Sequence, residues 1–299
     1  MSSSVLYKLW IKNKYALLFL SPWFVGVLIF GLIPMVVSLY LSFTTYNMFE
    51  APTWTGLDNY AEILTNDTRF LQSLKVTILY VFIGVPLQLA MAFLLALVLN
   101  RGLWGLSLFR AMFYVPSLLG PSVAIAILWR QIFGSEGLFN HVTGIFGIAP
   151  KSWVADPTTS LYTLIVLLIW QFGSPMIIFL AGLKQVPQDL YESASMDGAG
   201  AVSKFFHITF PMLTPILLFN LIMQVINAFQ AFTSAFIVGG GEGGAMDSTL
   251  FYTLYLYIRA FNQFEMGYAS ALAWLLLIII AFFTYMLFVS SKKWVHYES

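Results

Sequence analysis

Residues 184–215, KQVPQDLYESASMDGAGAVSKFFHITFPMLTP, are the one long stretch of this chain that reads as a water-exposed amphipathic element. The chain around it is 60% hydrophobic and 9% charged, so the exception decides how the rest is read: apolar membrane spans on either side, and a polar segment between them able to meet another protein. Pro187 to Asp189 carry helix-start chemistry, since proline suits a first helical turn and a carboxylate favours the positive end of the helix dipole. Gly198, directly after Asp197, predicts a break between two helical pieces, because glycine tolerates the left-handed conformation that ends a helix. The second piece is expected to run to Pro211.

Working outward, six apolar stretches at 15–43, 73–99, 108–133, 160–183, 212–237 and 266–290 are each long enough for a tilted transmembrane helix of about 20 residues. The expected fold class is therefore an all-α integral membrane protein. Prolines 34, 86, 116, 121 and 175 interrupt the spans, which membrane helices tolerate when neighbours satisfy the freed carbonyls. The first stretch exceeds the apolar core of a signal peptide and is read as a retained helix. An even number of spans puts both termini on one side. Lys8, Lys12, Lys14, Arg101, Arg110, Lys184, Lys204, Lys292 and Lys293 fall on that side, whereas Arg69, Lys151 and Arg259 fall on the other, with Lys75 and Arg130 near the ends of spans on that second side. The excess of positive charge predicts that the termini and the 184–215 loop face the cytoplasm. Outer loops at about 46–71 and 134–159 are polar enough to be ordered caps but too short for domains. Trp10, Trp23, Trp104 and Trp153 read as interfacial anchors.

Composition excludes several functions. A net charge of +1 gives no basic excess for nucleic acid, and zero cysteines rule out disulfides and thiolate catalysis. His141, His207 and His296 are scattered, without carboxylates at ligand spacing, so no metal site is expected. No phosphate-cradling G-x-x-x-x-G-K-[ST] sequence occurs; the run GGGEGG at 239–244 lacks a following lysine and reads as a flexible external turn.

A protein that moves a polar solute past hydrocarbon needs polar side chains within its spans. Asn220, Gln224 and Asn227 follow i, i+4, i+7 on one face of the fifth span, with Gln230 close to it. Amides both donate and accept hydrogen bonds, as the polar groups of a solute require, and Phe219, Phe229 and Phe232 are candidates to stack on a ring of it. Trp170, Gln171 and Ser174 form a smaller cluster in the fourth span. The competing use of such amides is to glue helices together or to pair with a sister subunit. Arg130 reads as a residue snorkelling to the outer interface.

The helix-break-helix segment resembles the cytoplasmic coupling loop of permease subunits in binding-protein-dependent ABC importers. Glu192, Ala194, Asp197, Gly198, Ala199, Ile208 and Pro211 match that family's pattern, and Ser193 stands where it has a first alanine. The likeness covers nearly the whole chain and is greatest to the carbohydrate-importing, maltose-permease-like branch. It includes GLDNYAEIL at 56–64, VPLQLAMAFLLALVLNRGLWG at 85–105, FRAMFYVPSLLGPSVAIAILWRQIF at 109–133 and FNQFEMGYASALAWLL at 261–276. It implies the type I ABC importer permease fold: a cytoplasmic segment 1–14, a transmembrane domain 15–290 with its coupling loop at 184–211, and a cytoplasmic tail 291–299. It implies a second permease, two ATPase subunits that carry ATP and Mg, an extracytoplasmic solute-binding protein, a carbohydrate substrate, and no ATP site or other cofactor in this chain. For Glu192 it implies a charge pair with an arginine of the docked ATPase; Asp197 has either that role or a local one, fixing the loop by a hydrogen bond. Gly240, Gly241 and Glu242 fall in the loop that approaches the binding protein. Import of a phosphorylated polyol, a stand-alone secondary transporter and an intramembrane enzyme are the alternatives. The latter two need buried ionisable residues or paired catalytic groups that the spans do not offer.

Overall fold

A computed structural model describes residues 18–101 and 105–296. The expected N-terminal segment 1–14, the first three residues of the first span, Trp10, Trp104 and the last three residues of the tail lie outside the described residues. The chain divides into two compact units, residues 1–66 with 259–274 and residues 67–258 with 275–299.

In the first unit, α1 (Leu18–Leu41) is apolar throughout, and its most hydrophobic window buries no residue. Its turn at Leu28–Leu32 widens to a π-helix, with the Ile33 N–H bonding the Leu28 carbonyl just before Pro34. A short hairpin, β1 (Thr44–Thr45) and β2 (Thr53–Trp54), leads to α2 (Asp58–Thr65). Asn59 holds the hairpin base by donating to the Ser42 and Thr44 carbonyls, both at 2.9 Å.

The second unit is built around α3 (Thr68–Leu99), capped by Asp67, whose side chain accepts the Phe70 N–H. Val81, Val85, Gln88, Leu89, Ala92, Ala96 and Leu99 recur every three or four residues and are all buried. Ala92 and Ala96 present so little side chain that neighbouring helices approach closely, the usual device where lipid supplies no hydrophobic drive. Against α3 pack α7 (Ser160–Trp170), α8 (Gly173–Leu183) and α11 (Phe210–Phe229). The last long helix is α12 (Met266–Ser291).

The third span departs from expectation. Instead of one tilted helix over 108–133, α4 (Leu106–Leu119) and α5 (Val123–Ile132) meet at 96°. Pro121 has no N–H with which to continue α4, and Ser122 takes an extended backbone with its hydroxyl accepting the Ile125 N–H as a new helix cap. The loop after it is ordered by α6 (Leu138–Ile145), whose buried Asn140 donates to the Gly134, Ser135 and Lys151 carbonyls and accepts from the Trp153 indole. In the same loop Lys151 and Thr158 hold the Asp156 carboxyl down to about 2.

Candidate functional site

The amphipathic segment forms α9 (Gln188–Met196), a nine-residue helix with no buried residue. It ends in the way its sequence predicts: Gly198 adopts φ +79°, the Ala199 N–H bonds the Ala194 carbonyl and the Gly198 N–H bonds the Ser195 carbonyl. This is a Schellman closure, which needs a left-handed residue where Gly198 stands. The second piece does not stop at Pro211. α10 (Ala201–Lys204) passes through a π-turn at Phe205–Thr209, where the Phe210 N–H bonds the Phe205 carbonyl, directly into α11. The wide turn carries the chain past Pro211 without breaking it, as at Pro34. Two side-chain bonds tie the halves of the segment: Lys204 Nζ to Ser195 Oγ at 2.6 Å, and Tyr191 Oη with Thr209 Oγ1 at 2.9 Å.

Glu192, Ser193, Asp197 and Gly198 are exposed, with Ala194 and Ala199 half-buried beside them. Neither acid forms an ion pair among the described residues. Asp197 makes no side-chain hydrogen bond there either, so the local fixing role finds no support in the structure. Around these charges Met196, 85% exposed, and the exposed Val202 and Phe206 add apolar surface to a polar segment. That mixture suits a docking face better than a solvated loop.

The second feature is a cavity of about 460 Å³ within the second unit, lined by side chains of α3, α4, α7, α8 and α11 and by residues after α11. Of the predicted path residues, Gln171, Gln224, Asn227 and Gln230 line it, as does Ser174. Asn220 and Trp170 do not. Asn220 is 0% exposed, and both ends of its amide lack a partner. The i, i+4, i+7 spacing aligned it with Gln224, but its turn of α11 is closed over by packed helices. Trp170 lies against Trp129, with ring centroids 6.1 Å apart. Of the three candidate phenylalanines only Phe232 reaches the cavity; Phe229 is buried and stacked on Phe283. Replacing a buried unpaired amide by an apolar group of similar volume removes a desolvation cost of about 1–3 kcal/mol. Asn220→Leu is therefore expected to raise the thermal midpoint of the purified protein by several degrees; an unchanged or lower midpoint would show that the amide has a partner in another state.

The broken fourth span supplies the floor of the cavity. Pro175 has no N–H to offer the Gln171 carbonyl four residues back, and that freed oxygen accepts instead from Gln88 Nε2 at 3.0 Å and Ser117 Oγ at 2.8 Å. Ser117 Oγ in turn accepts the Ser174 N–H at 2.9 Å. Gly120, at the bend of the third span, sits so close that an added Cβ would lie 2.3 Å from the Gln171 side chain. Gln88, Ser117 and Tyr80 went unnoticed in the sequence, and the only signal for Gln88 was a lone amide inside the apolar run VPLQLAMAFLL. No Asp, Glu, Lys, Arg or His lines the cavity among the described residues; Arg130 is elsewhere.

The run at 239–244 folds into a hydrogen-bonded turn. Gly240, Gly241, Gly243 and Gly244 all have positive φ, and Gly241, Gly244 and Thr249 close it with backbone bonds to Phe236, Gly239 and Gly243. Arg69 anchors it, donating to both carboxylate oxygens of Asp247 at 2.7 and 2.9 Å and to the Glu242 carbonyl at 3.2 Å. Gly240 and Glu242 remain exposed on this braced loop, next to Met246, 84% exposed.

A profile for the binding-protein-dependent transport system inner membrane component matches residues 60–294. The chain belongs to that family. This permease is accordingly a multi-pass membrane protein. It is 54% identical over 282 residues to the probable ABC transporter permease protein YesP of Bacillus subtilis (strain 168), covering 94% of this chain and 91% of that protein. It is 32% identical to the trehalose/maltose transport system permease protein MalF of Thermococcus litoralis, over 91% of this chain and 92% of that one. A chain in the crystal structure of a bacterial alginate ABC transporter, in complex with an alginate pentasaccharide-bound periplasmic protein, superposes with a TM-score of 0.82 at 19% identity, covering 96% of this permease and 97% of itself. That likeness shows the type I ABC importer permease fold.

Proposed function

We propose that this permease is the membrane subunit of an ATP-driven importer that takes a sugar or oligosaccharide from an extracytoplasmic binding protein into the cytoplasm by alternating access. The observation that carries the reading is the cavity: amides and hydroxyls from α3, α4, α8, α11 and the segments that follow α7 and α11, around a space with no charged lining residue among the described ones. Such a lining exchanges hydrogen bonds with a polyhydroxylated neutral solute and offers a phosphate no cation. The relatives named for trehalose and maltose, lactose and arabinooligosaccharides support the substrate class. In this reading Gln171, Gln224, Asn227 and Gln230 line the path, α9 docks on one of two ATPase subunits that hold ATP and Mg, a sister permease completes the path, and Gly240, Gly241 and Glu242 meet the binding protein. Both termini and the coupling segment then lie in the cytoplasm, as the distribution of Lys and Arg predicts. Nucleotide-driven closure of the ATPases moves the packed spans between outward and inward access as rigid bodies.

Tagging the C-terminus, solubilising native membranes in mild detergent and identifying what copurifies tests this. A second permease and an ATPase are expected. Recovery of a lone chain or a homo-oligomer, under conditions that keep other importers intact, would sink the subunit reading.

A further inference from the structure

We infer that Gln88 is a specificity-determining contact of the cavity, its Oε1 accepting a hydrogen bond from a hydroxyl of the solute. The inference rests on the carbohydrate path proposed above and adds to it a residue on α3. Gln88 lines the cavity although only 2% exposed. Its amide cannot be turned round: the Gln171 carbonyl 3.0 Å away can only accept, so the nitrogen must face it and the oxygen must face the other way. That oxygen is buried and has no hydrogen-bond partner. Buried acceptors are nearly always satisfied, and one left bare beside a cavity awaits a donor from whatever fills it.

The surrounding groups do not supply that donor. Ser117 Oγ is committed to the Gln171 carbonyl and the Ser174 N–H, and Gln171 Nε2 donates to the Leu167 carbonyl at 3.1 Å. The floor is therefore rich in acceptors, and it selects a solute that presents an O–H there. A carboxylate or phosphate oxygen has no proton to give and would set lone pair against lone pair. The side chain is also held in place before the solute arrives, because leaving its position would abandon the carbonyl that Pro175 frees.

The test is a double-mutant cycle on the intact complex in cells, with labelled lactose, maltose, trehalose and arabinotriose as probes, followed by the monodeoxy analogues of whichever is taken up. Gln88→Met keeps the length of the side chain and removes the acceptor together with the donor to the Gln171 carbonyl, so the deoxy series is what separates the two losses. In wild type, one deoxy position is expected to raise the uptake KM about tenfold; Gln88→Met is expected to raise it similarly for the parent sugar and to show no further loss with that analogue. Losses that multiply at every deoxy position would mean a purely structural role and overturn the inference while leaving the carbohydrate reading intact. If Gln88→Met no longer copurifies with its partners, the wild-type complex serves: an uptake KM that no single deoxy position raises would overturn the inference. Uptake of none of the probes by wild type would sink the carbohydrate reading itself, and this one with it.

Discussion

Glu192→Ala is expected to lower the amount of ATPase recovered with the tagged permease by at least about tenfold while leaving the sister permease in place. Nothing inside the chain depends on this side chain. It is exposed, lies on a helix with no buried residue and forms no ion pair among the described residues, so its removal should not disturb folding. A charge pair that becomes desolvated on docking is a different matter: truncating one partner leaves the other buried and unpaired, which costs about 2–5 kcal/mol. Gly198→Val provides an independent check, since a β-branched residue is strained at φ +79° and would unpick the turn that orients α9. Unchanged ATPase recovery and unchanged coupling of hydrolysis to solute in both variants would mean that the segment docks elsewhere or not at all.

The double substitution Asn227→Leu with Gln230→Leu is expected to reduce uptake about 100-fold, as two hydrogen bonds to solute worth about 1.4 kcal/mol each are lost. Both residues line the cavity and are exposed, so assembly and thermal midpoint should stay close to wild type. This separates them from Asn220, earlier on the same helix, where the same change acts on stability. Wild-type uptake by the double variant would remove the α11 amides from the path.

The spans were legible because a run of about 20 apolar residues has little use in a protein except to cross a bilayer, and the helix-break-helix form of the amphipathic segment because its polarity and its break at Gly198 agree. The bend between α4 and α5 was not. Pro121 lies in an apolar run, and membrane helices carry prolines both with and without breaking; the 96° turn depends on Ser122 capping a new helix, a choice between two local structures that hydropathy does not record. Helical periodicity grouped Asn220 with Gln224 and Asn227 correctly by angle, but burial is decided by what packs against each turn. Gln88 was missed for the opposite reason. Its importance comes from Pro175, 87 positions away in the sequence, through a carbonyl that only the fold brings within 3.0 Å.

The run from α10 through the π-turn into α11 makes one shaft of the second half of the amphipathic segment and the amide-bearing helix. From Ala201 to Gln224 it measures about 35 Å at 1.5 Å per residue. Moving as one body, it would sweep Gln224 through about 6 Å for a tilt of about 10° pivoting at its loop end, more than the width of a sugar ring. The wide turn before Pro211 is then a gasket: it lets a proline sit in the shaft without giving it a joint.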